Sequence, residues 1–161
     1  MLLSDRRRLL LALAALPVAA CGFAPAYAPG GAGLALRGQV RAADPVTSGD
    51  FDFVAGLEIR LGRAAAPRYD LSYQITTSER GAARVAGLGE TRITLFGSIT
   101  YRLTERITGA VVSEGSLRDF TNYSTTDTQL ATLRAQEDAQ ARLMRILADQ
   151  VAARLLAALA E

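Results

Sequence analysis

Tyr69-Asp70-Leu71-Ser72-Tyr73-Gln74-Ile75-Thr76 places an apolar residue at every second position, and Ile93, Leu95, Ile99, Tyr101 and Leu103 repeat the pattern between Arg92, Thr94, Ser98, Thr100 and Arg102. Successive side chains of a strand point to opposite faces, so a period of two over this length marks antiparallel strands with one apolar and one polar face. Phe96 breaks the second run by setting a large ring on the polar side, as a single exposed aromatic or a contact with a partner. Between the two runs, Glu79 to Glu90 contains Gly81, Gly87 and Gly89 together with Arg80 and Arg84, and reads as a long hairpin loop. A further strand is expected from about Ala110 to Phe120, after the turn at Thr108-Gly109, with its alternation disturbed near Gly115.

A sheet with one apolar face needs a cover, and the C-terminal segment supplies one. From Thr128 to Ala160 neither glycine nor proline interrupts a run of good helix formers. Thr125, Thr126 or Asp127 is the expected N-cap, and Asp138 stands four residues before Arg142 in the favourable order. Leu133, Met144, Leu147, Val151, Leu155 and Ala158 make a stripe at helical spacing, extended by Leu130. Such a helix has to lay its stripe on something, and the sheet is the nearest surface. An interfacial membrane helix or a partner-binding helix is the competing assignment.

Toward the N-terminus the pattern is less decisive. Leu34, Leu36 and Val40 alternate with smaller or polar residues and predict a short strand from Leu34 to about Ala42, followed by a turn through Asp44, Pro45, Ser48 and Gly49. Phe51, Phe53, Ala55, Leu57, Ile59 and Leu61 alternate like a strand, while Phe53, Leu57 and Leu61 also fall at helical spacing. Ser48 or Asp50 would cap a helix there and Gly62 would end it. Alternation alone favours a strand.

The chain has 161 residues, half of them hydrophobic and 21% charged, enough for one domain with a sizeable core. All its basic residues are arginine; lysine, histidine and tryptophan are absent. A Ser-His-Asp triad, a histidine-bound zinc, a Schiff-base lysine and a phosphate-loop lysine are thereby excluded. Glu137 and Asp138 are adjacent and therefore point about 100° apart on a helix, so they do not converge as a carboxylate pair. We expect a binding or structural protein with no catalytic residue, no cofactor and no metal.

The first twenty residues have the form of an export signal: Arg6, Arg7 and Arg8, eight consecutive Leu or Ala residues from Leu9 to Leu16, then Pro17 and small residues. The apolar run is too short to span a bilayer. Asp5-Arg6-Arg7-Arg8-Leu9-Leu10 also loosely fits a twin-arginine export motif. Val18, Ala19 and Ala20 directly precede Cys21, the one cysteine of the chain, an arrangement that resembles the bacterial lipoprotein box. That resemblance implies lipidation of Cys21 and cleavage before it, and Gly22 in the next position implies sorting to the outer membrane. Several acyl chains on one residue hold a soluble domain on a membrane where a single chain does not. Residues 1–20 carry three arginines and one aspartate, so their removal leaves fifteen residues of each sign, and a global basic field for nucleic acid is not expected. Residues 21–33 are rich in Gly, Ala and Pro and suit an extended tether, which leaves 34–161 as the folded domain.

A wider resemblance rests on four stretches. Cys21-Gly22-Phe23-Ala24-Pro25-Ala26-Tyr27 at the start, Leu57-Glu58-Ile59-Arg60-Leu61 followed by Pro67-Arg68-Tyr69-Asp70-Leu71, Tyr101-Arg102-Leu103 leading to Thr108-Gly109, and a closing helix with Ala131-Thr132-Leu133 and Ala148-Asp149-Gln150 look like the lipopolysaccharide-assembly lipoprotein family LptE, most of all its short alphaproteobacterial form. The resemblance implies an α+β fold: a four-stranded, mostly antiparallel sheet with two helices on one face, in the order β-α-β-β-β-α. It makes Phe51 to Leu61 a helix. It makes the absence of lysine a bias toward GC-rich arginine codons.

What the resemblance implies for function is a lipid-anchored outer-membrane protein facing the periplasm. Its partner would be an LptD-type β-barrel, which it plugs while helping lipopolysaccharide reach the outer leaflet. A barrel lumen is polar, so a Ser/Thr/Arg/Gln-lined sheet face suits it. By position, Arg84 and Arg134 fall where the family contacts lipopolysaccharide, with Arg80 and Arg92 nearby; guanidinium groups donate paired hydrogen bonds to phosphates. The alternative is an auxiliary lipoprotein of an ABC-type lipid transport system.

Overall fold

The computed structural model describes residues 31–85, 89–126 and 128–159. The signal, Cys21 and nearly all of the tether lie outside the described residues. The elements run α1 (Ala32–Leu36), β1 (Val40–Ala42), α2 (Ser48–Leu61), β2 (Tyr69–Val85), β3 (Gly89–Glu105), β4 (Val111–Ser124) and α3 (Gln129–Ala158). Strand order is β1-β2-β3-β4; β1 is parallel to β2 and the other two pairings are antiparallel. This is the expected four-stranded, mostly antiparallel α+β fold, with an additional short helix at its start.

The short helix corrects the strand expected from Leu34 to Ala42. Ala32–Leu36 is helical, the chain turns through Gly38 at φ +71°, and only Val40–Ala42 joins the sheet. Three alternating residues do not separate one helical turn from a strand end. What decides here is that Leu36 is fully buried while the Gly38 N–H donates to the carbonyl of Leu61 at 2.7 Å, tying the turn to the end of α2.

Helix α2 is what the resemblance implied and alternation alone did not. Thr47, not Ser48 or Asp50, is its N-cap: the Thr47 hydroxyl accepts from the Asp50 N–H, and the Asp50 carboxylate accepts from the Thr47 N–H at 2.8 Å, a reciprocal capping box. Partial burial works upward on the Asp50 carboxyl, but the hydrogen bonds from Thr47 and Val46 hold it below the ordinary aspartate value. Phe53, Leu57 and Leu61 are buried at four-residue spacing, and Gly62, at φ +77°, ends the helix as expected.

The central hairpin is longer than the sequence suggests. Pairing between β2 and β3 continues from Tyr69 opposite Glu105 to Val85 opposite Gly89, with irregularities at Gly81, Ala83 and Arg84. The loop expected over Glu79 to Glu90 is therefore mostly strand. Glycine is a local cue for a turn, whereas cross-strand hydrogen bonding is set by the partner and overrides it. Likewise β4 runs on to Ser124, past Phe120.

Helix α3 spans 30 residues, about 45 Å at 1.5 Å per residue. It packs on the sheet and on α2, so the stripe is core and not a membrane face. Met144, Leu147, Val151 and Leu155 are fully buried with Ala139 and Leu143. Leu130 and Leu133 correct the expected stripe: they are 64% and 49% exposed, because burial starts only at Ala139, where the Thr121 hydroxyl of β4 donates to the carbonyl of Ala139. The N-cap is Thr128, without a side-chain cap; the Thr132 hydroxyl instead accepts from the Thr126 N–H and donates to the Thr126 carbonyl. The Asp138–Arg142 pair forms at 2.7 Å.

Two glycines let the layers meet. A Cβ at Gly97 of β3 would stand 2.9 Å from the Leu143 side chain, and one at Gly56 of α2 would stand 3.0 Å from the Ala148 Cβ. Both helices therefore lie on one face of the sheet, and the core of Leu71, Ile99, Leu103 and their helical partners sits between the layers.

Candidate functional site: the uncovered sheet face

Alternation places the other side chains of β2, β3 and β4 on a face that no described element covers. Along β2 these are Asp70, Ser72, Gln74, Thr76, Ser78 and Arg80; across from them on β3 stand Thr104, Arg102, Thr100, Ser98, Phe96 and Thr94. On β4 the same side carries Glu114, Ser116, Arg118, Phe120 and Asn122. Hydroxyls, amides and guanidiniums dominate, as the sequence predicted.

Charge is unevenly distributed along this face. At the end near the β3–β4 turn, charges are matched: Arg102 pairs with Glu114 directly across at 3.0 Å, and Arg106 with Asp70 at 3.2 Å. Beside them, Arg68 donates twice to Glu105, at 2.7 and 2.9 Å, and the Thr108 hydroxyl donates to the same carboxylate at 2.7 Å. The Thr108 bond and then the Arg68 bonds hold the Glu105 carboxyl below its ordinary value; the same pairing raises Arg68.

The opposite end of the face, toward the β2–β3 turn, is different. Arg80, Arg92 and Arg118 make no ion pair with a described residue. Arg80 lies over the ring of Phe96, its guanidinium carbon 5.9 Å from the centroid. Phe96 in turn meets Phe120, its cross-strand partner, with centroids 6.0 Å apart and rings tilted by 44°. The anomalous Phe96 of the sequence is thus half of an aromatic pair whose other half, Phe120, sequence reasoning had placed as the end of a strand. A shallow depression of about 330 Å³ lies among Thr76, Ser78, Arg80, Phe96, Ser98 and Arg118. Asp119 borders it, but its carboxylate accepts from the Gln150 amide of α3 and from the Phe120 N–H.

The four candidate arginines do not form one cluster. Arg80 and Arg92 share the uncovered face on neighbouring strands, and Arg84 lies in β2 opposite Glu90. Arg134 sits on α3, on the other side of the sheet, exposed and paired with Glu137 at 2.9 Å. Arg118 completes the cationic end and was missed, since nothing in its local sequence sets it apart; only the β3–β4 register brings it beside Ser98 and Phe96.

On the helix-covered face, burial pushes the Tyr73 phenol up to about 12, with Asp50 and Asp44 adding to it. Its hydroxyl donates to the carbonyl of Ala43 at 3.3 Å, and its ring packs on Phe53. This residue is a neutral structural donor. Among the described residues, no helix is long and apolar enough to cross a membrane.

No family model matches the chain, and no curated protein matches it significantly. Solved structures do share its fold. A protein of Caulobacter crescentus CB15 described as a lipoprotein is 24% identical, with a TM-score of 0.67 over 80% of this chain and 96% of that one. Rare lipoprotein B from Shewanella oneidensis is 13% identical, with a TM-score of 0.51 over 70% and 88% of the two chains. A minor lipoprotein from Acinetobacter baumannii is 14% identical, with a TM-score of 0.53 over 74% and 91%. At these identities the likeness is one of fold.

Proposed function

We propose that this chain is a lipid-anchored accessory protein of the outer membrane that sits in the polar lumen of an LptD-type β-barrel and helps lipopolysaccharide reach the outer leaflet. The observation that carries the proposal is the uncovered polar sheet face, on a fold held in common with several bacterial lipoproteins. A three-stranded surface of Ser, Thr, Gln and Arg costs little to place against a hydrated barrel interior, whose inward side chains are themselves polar. The resemblance of Cys21 and its neighbours to a lipoprotein box supports the anchor, with residues 1–20 as the signal and 21–33 as the tether.

Within this proposal Arg84 and Arg134 contact lipopolysaccharide phosphates, with Arg92 as a further candidate. The Arg134 guanidinium keeps free donors beside its single bond to Glu137 and is 74% exposed at its side chain. We expect Arg84→Ala combined with Arg134→Ala to weaken lipopolysaccharide binding while the circular dichroism spectrum and melting profile stay those of wild type. Unchanged binding would remove the assignment.

The deciding experiment is affinity isolation of a C-terminally tagged form from detergent-solubilised membranes, followed by mass spectrometry of stoichiometric partners and of the mature N-terminus. A large outer-membrane barrel together with an acylated Cys21 is the expected result. Recovery of ABC-type transporter subunits from the inner-membrane fraction would replace this proposal with the auxiliary-lipoprotein alternative.

A further inference from the structure

We infer that the end of the uncovered face nearest the β2–β3 turn is a protein-docking surface that seats against a carboxylate-bearing stretch of the partner's wall, with Phe96 and Phe120 as its apolar anchor and Arg80 and Arg118 as flanking cations. The inference rests on the plug proposal and adds which surface meets the wall and by what chemistry.

Charge complementarity carries it first. The end of the face nearest the β3–β4 turn neutralises itself through Arg102–Glu114 and Arg106–Asp70. On α2 and α3, Arg60 is clamped by both oxygens of Asp149 at 2.6 and 2.7 Å, and Arg142 by Asp138. The chain thus supplies carboxylates to arginines on both of its layers, but gives none to Arg80 or Arg118 among the described residues. Asp119, the acid nearest to Arg118 in sequence, is turned toward Gln150. Several guanidiniums gathered on one flat face without counter-charge repel each other, and an external acidic surface relieves this while fixing register and orientation.

The second observation is the aromatic pair. Phe96 is 39% and Phe120 is 55% exposed, side by side among the hydroxyls of Ser78 and Ser98 and the guanidiniums of Arg80 and Arg118. Solvation gives no reason for two phenyl rings there. Aromatic side chains and arginine, with aspartate and glutamate depleted, are the composition of the energetic centre of a protein interface.

Shape selects the kind of occupant. The depression beside Phe96 is shallow and bordered by the hydroxyls of Thr76, Ser78 and Ser98. At about 330 Å³ it does not hold the acyl chains of a glycolipid, whose largest part would stay unaccommodated. A side chain ending in a carboxylate, lying between the Arg80 and Arg118 guanidiniums with its aliphatic part on the rings, fits both the charge and the depth.

The test uses the full-length chain in its own membranes. Phe96 and Phe120 are each replaced by p-benzoylphenylalanine, a photo-crosslinker that keeps the ring, and Ile59 on the outer surface of α2, 79% exposed, serves as a comparison position. We expect ultraviolet irradiation to give adducts of positions 96 and 120 with the barrel polypeptide, the linked peptide carrying Asp or Glu within a few residues. In parallel, Arg80→Glu with Arg118→Glu is expected to lower recovery of the barrel by roughly tenfold, and recovery of the wild-type pair to fall as salt is raised. Circular dichroism of the purified double variant checks its fold. Adducts with the barrel from position 59 but not from 96 or 120 would overturn the inference while leaving the plug proposal intact. Adducts of 96 and 120 with glycolipid would also overturn it. A wild-type chain that brings down no barrel at all would sink the plug proposal, and the inference with it.

Discussion

Two faces of one hairpin, β2 with β3, obey the same alternation and serve opposite ends. On the covered face Leu71, Ile99 and Leu103 are at most 1% exposed and Gly97 keeps a place free for Leu143. On the other face Ser72, Thr100 and Arg102 meet no described element, and the ring of Phe96 lies exposed beside that of Phe120 from β4. The difference teaches where the stability of this domain resides. Burial against α2 and α3 supplies it, and the uncovered face is left to vary in charge and aromatic content with little consequence for folding.

The comparison is broken most forcefully from the covered side. Leu143 is fully buried between α3 and the sheet, so Leu143→Ala is expected to cost about 2–5 kcal/mol, the lost transfer energy plus a cavity that the surrounding side chains only partly fill. Urea denaturation of the domain measures it. A cost below about 1 kcal/mol would mean that the helix-to-sheet contact does not hold the fold.

Next comes the opposite manipulation at the same contact. Gly97→Ala adds a methyl 2.9 Å from the Leu143 side chain and 3.3 Å from that of Leu147, both fully buried and without room to swing away. Overpacking of this kind costs about 1–3 kcal/mol. Combining it with Leu143→Ala, which vacates the space, is expected to recover part of that loss, so the double variant will be more stable than the sum of the two single effects requires.

Much of this division was legible in the sequence, and the places where it was not share a cause. The strands at Tyr69–Thr76 and Arg92–Leu103, and the long closing helix, announced themselves because many residues repeat one period over a long span. Leu34–Ala42 and Phe51–Leu61 are too short for the period to decide, and their outcome turns on distant partners: Leu61 for Gly38, and the core for Phe53 and Leu57. The capping box was half visible, since Asp50 was named but Thr47 was not. The site followed the same rule. Arg80 and Phe96 stood out locally, whereas Phe120 and Arg118 acquire their meaning only from the register of β4 against β3, which no local pattern encodes. Arg134, grouped with them by position in the chain, lies on the other side of the sheet.

A smaller effect belongs to the end of the sheet nearest the β3–β4 turn. Glu105 has a folded-state pKa below its unfolded value near 4.5, through Thr108 and Arg68. A depressed carboxyl contributes stability that is present above the unfolded value and lost as pH falls through the folded one. The self-neutralised end is therefore acid-sensitive: stability is expected to decline below about pH 4.5, with Glu105→Gln removing part of that decline and lowering stability slightly at neutral pH. Melting temperatures between pH 3 and 7 for both forms give the answer, and parallel curves would show that the Thr108 and Arg68 bonds contribute nothing.

The end whose arginines have no ion pair among the described residues is expected to show the smallest effect on the isolated domain. Arg118 has no carboxylate partner among the described residues, and Phe96 meets only the exposed Phe120 ring and the Arg80 guanidinium on a surface open to water. Arg118→Ala is expected to change unfolding stability by no more than about 0.5 kcal/mol, and Phe96→Ser, which gives up those two ring contacts, by about 1 kcal/mol at most. Removing one guanidinium from a like-charged group relieves repulsion, so the sign for Arg118→Ala is slightly stabilising at low salt and vanishes as salt screens the charges. A destabilisation comparable to that of Leu143→Ala would mean that the uncovered face carries part of the fold, and the separation of stability from surface chemistry between the two faces would not stand.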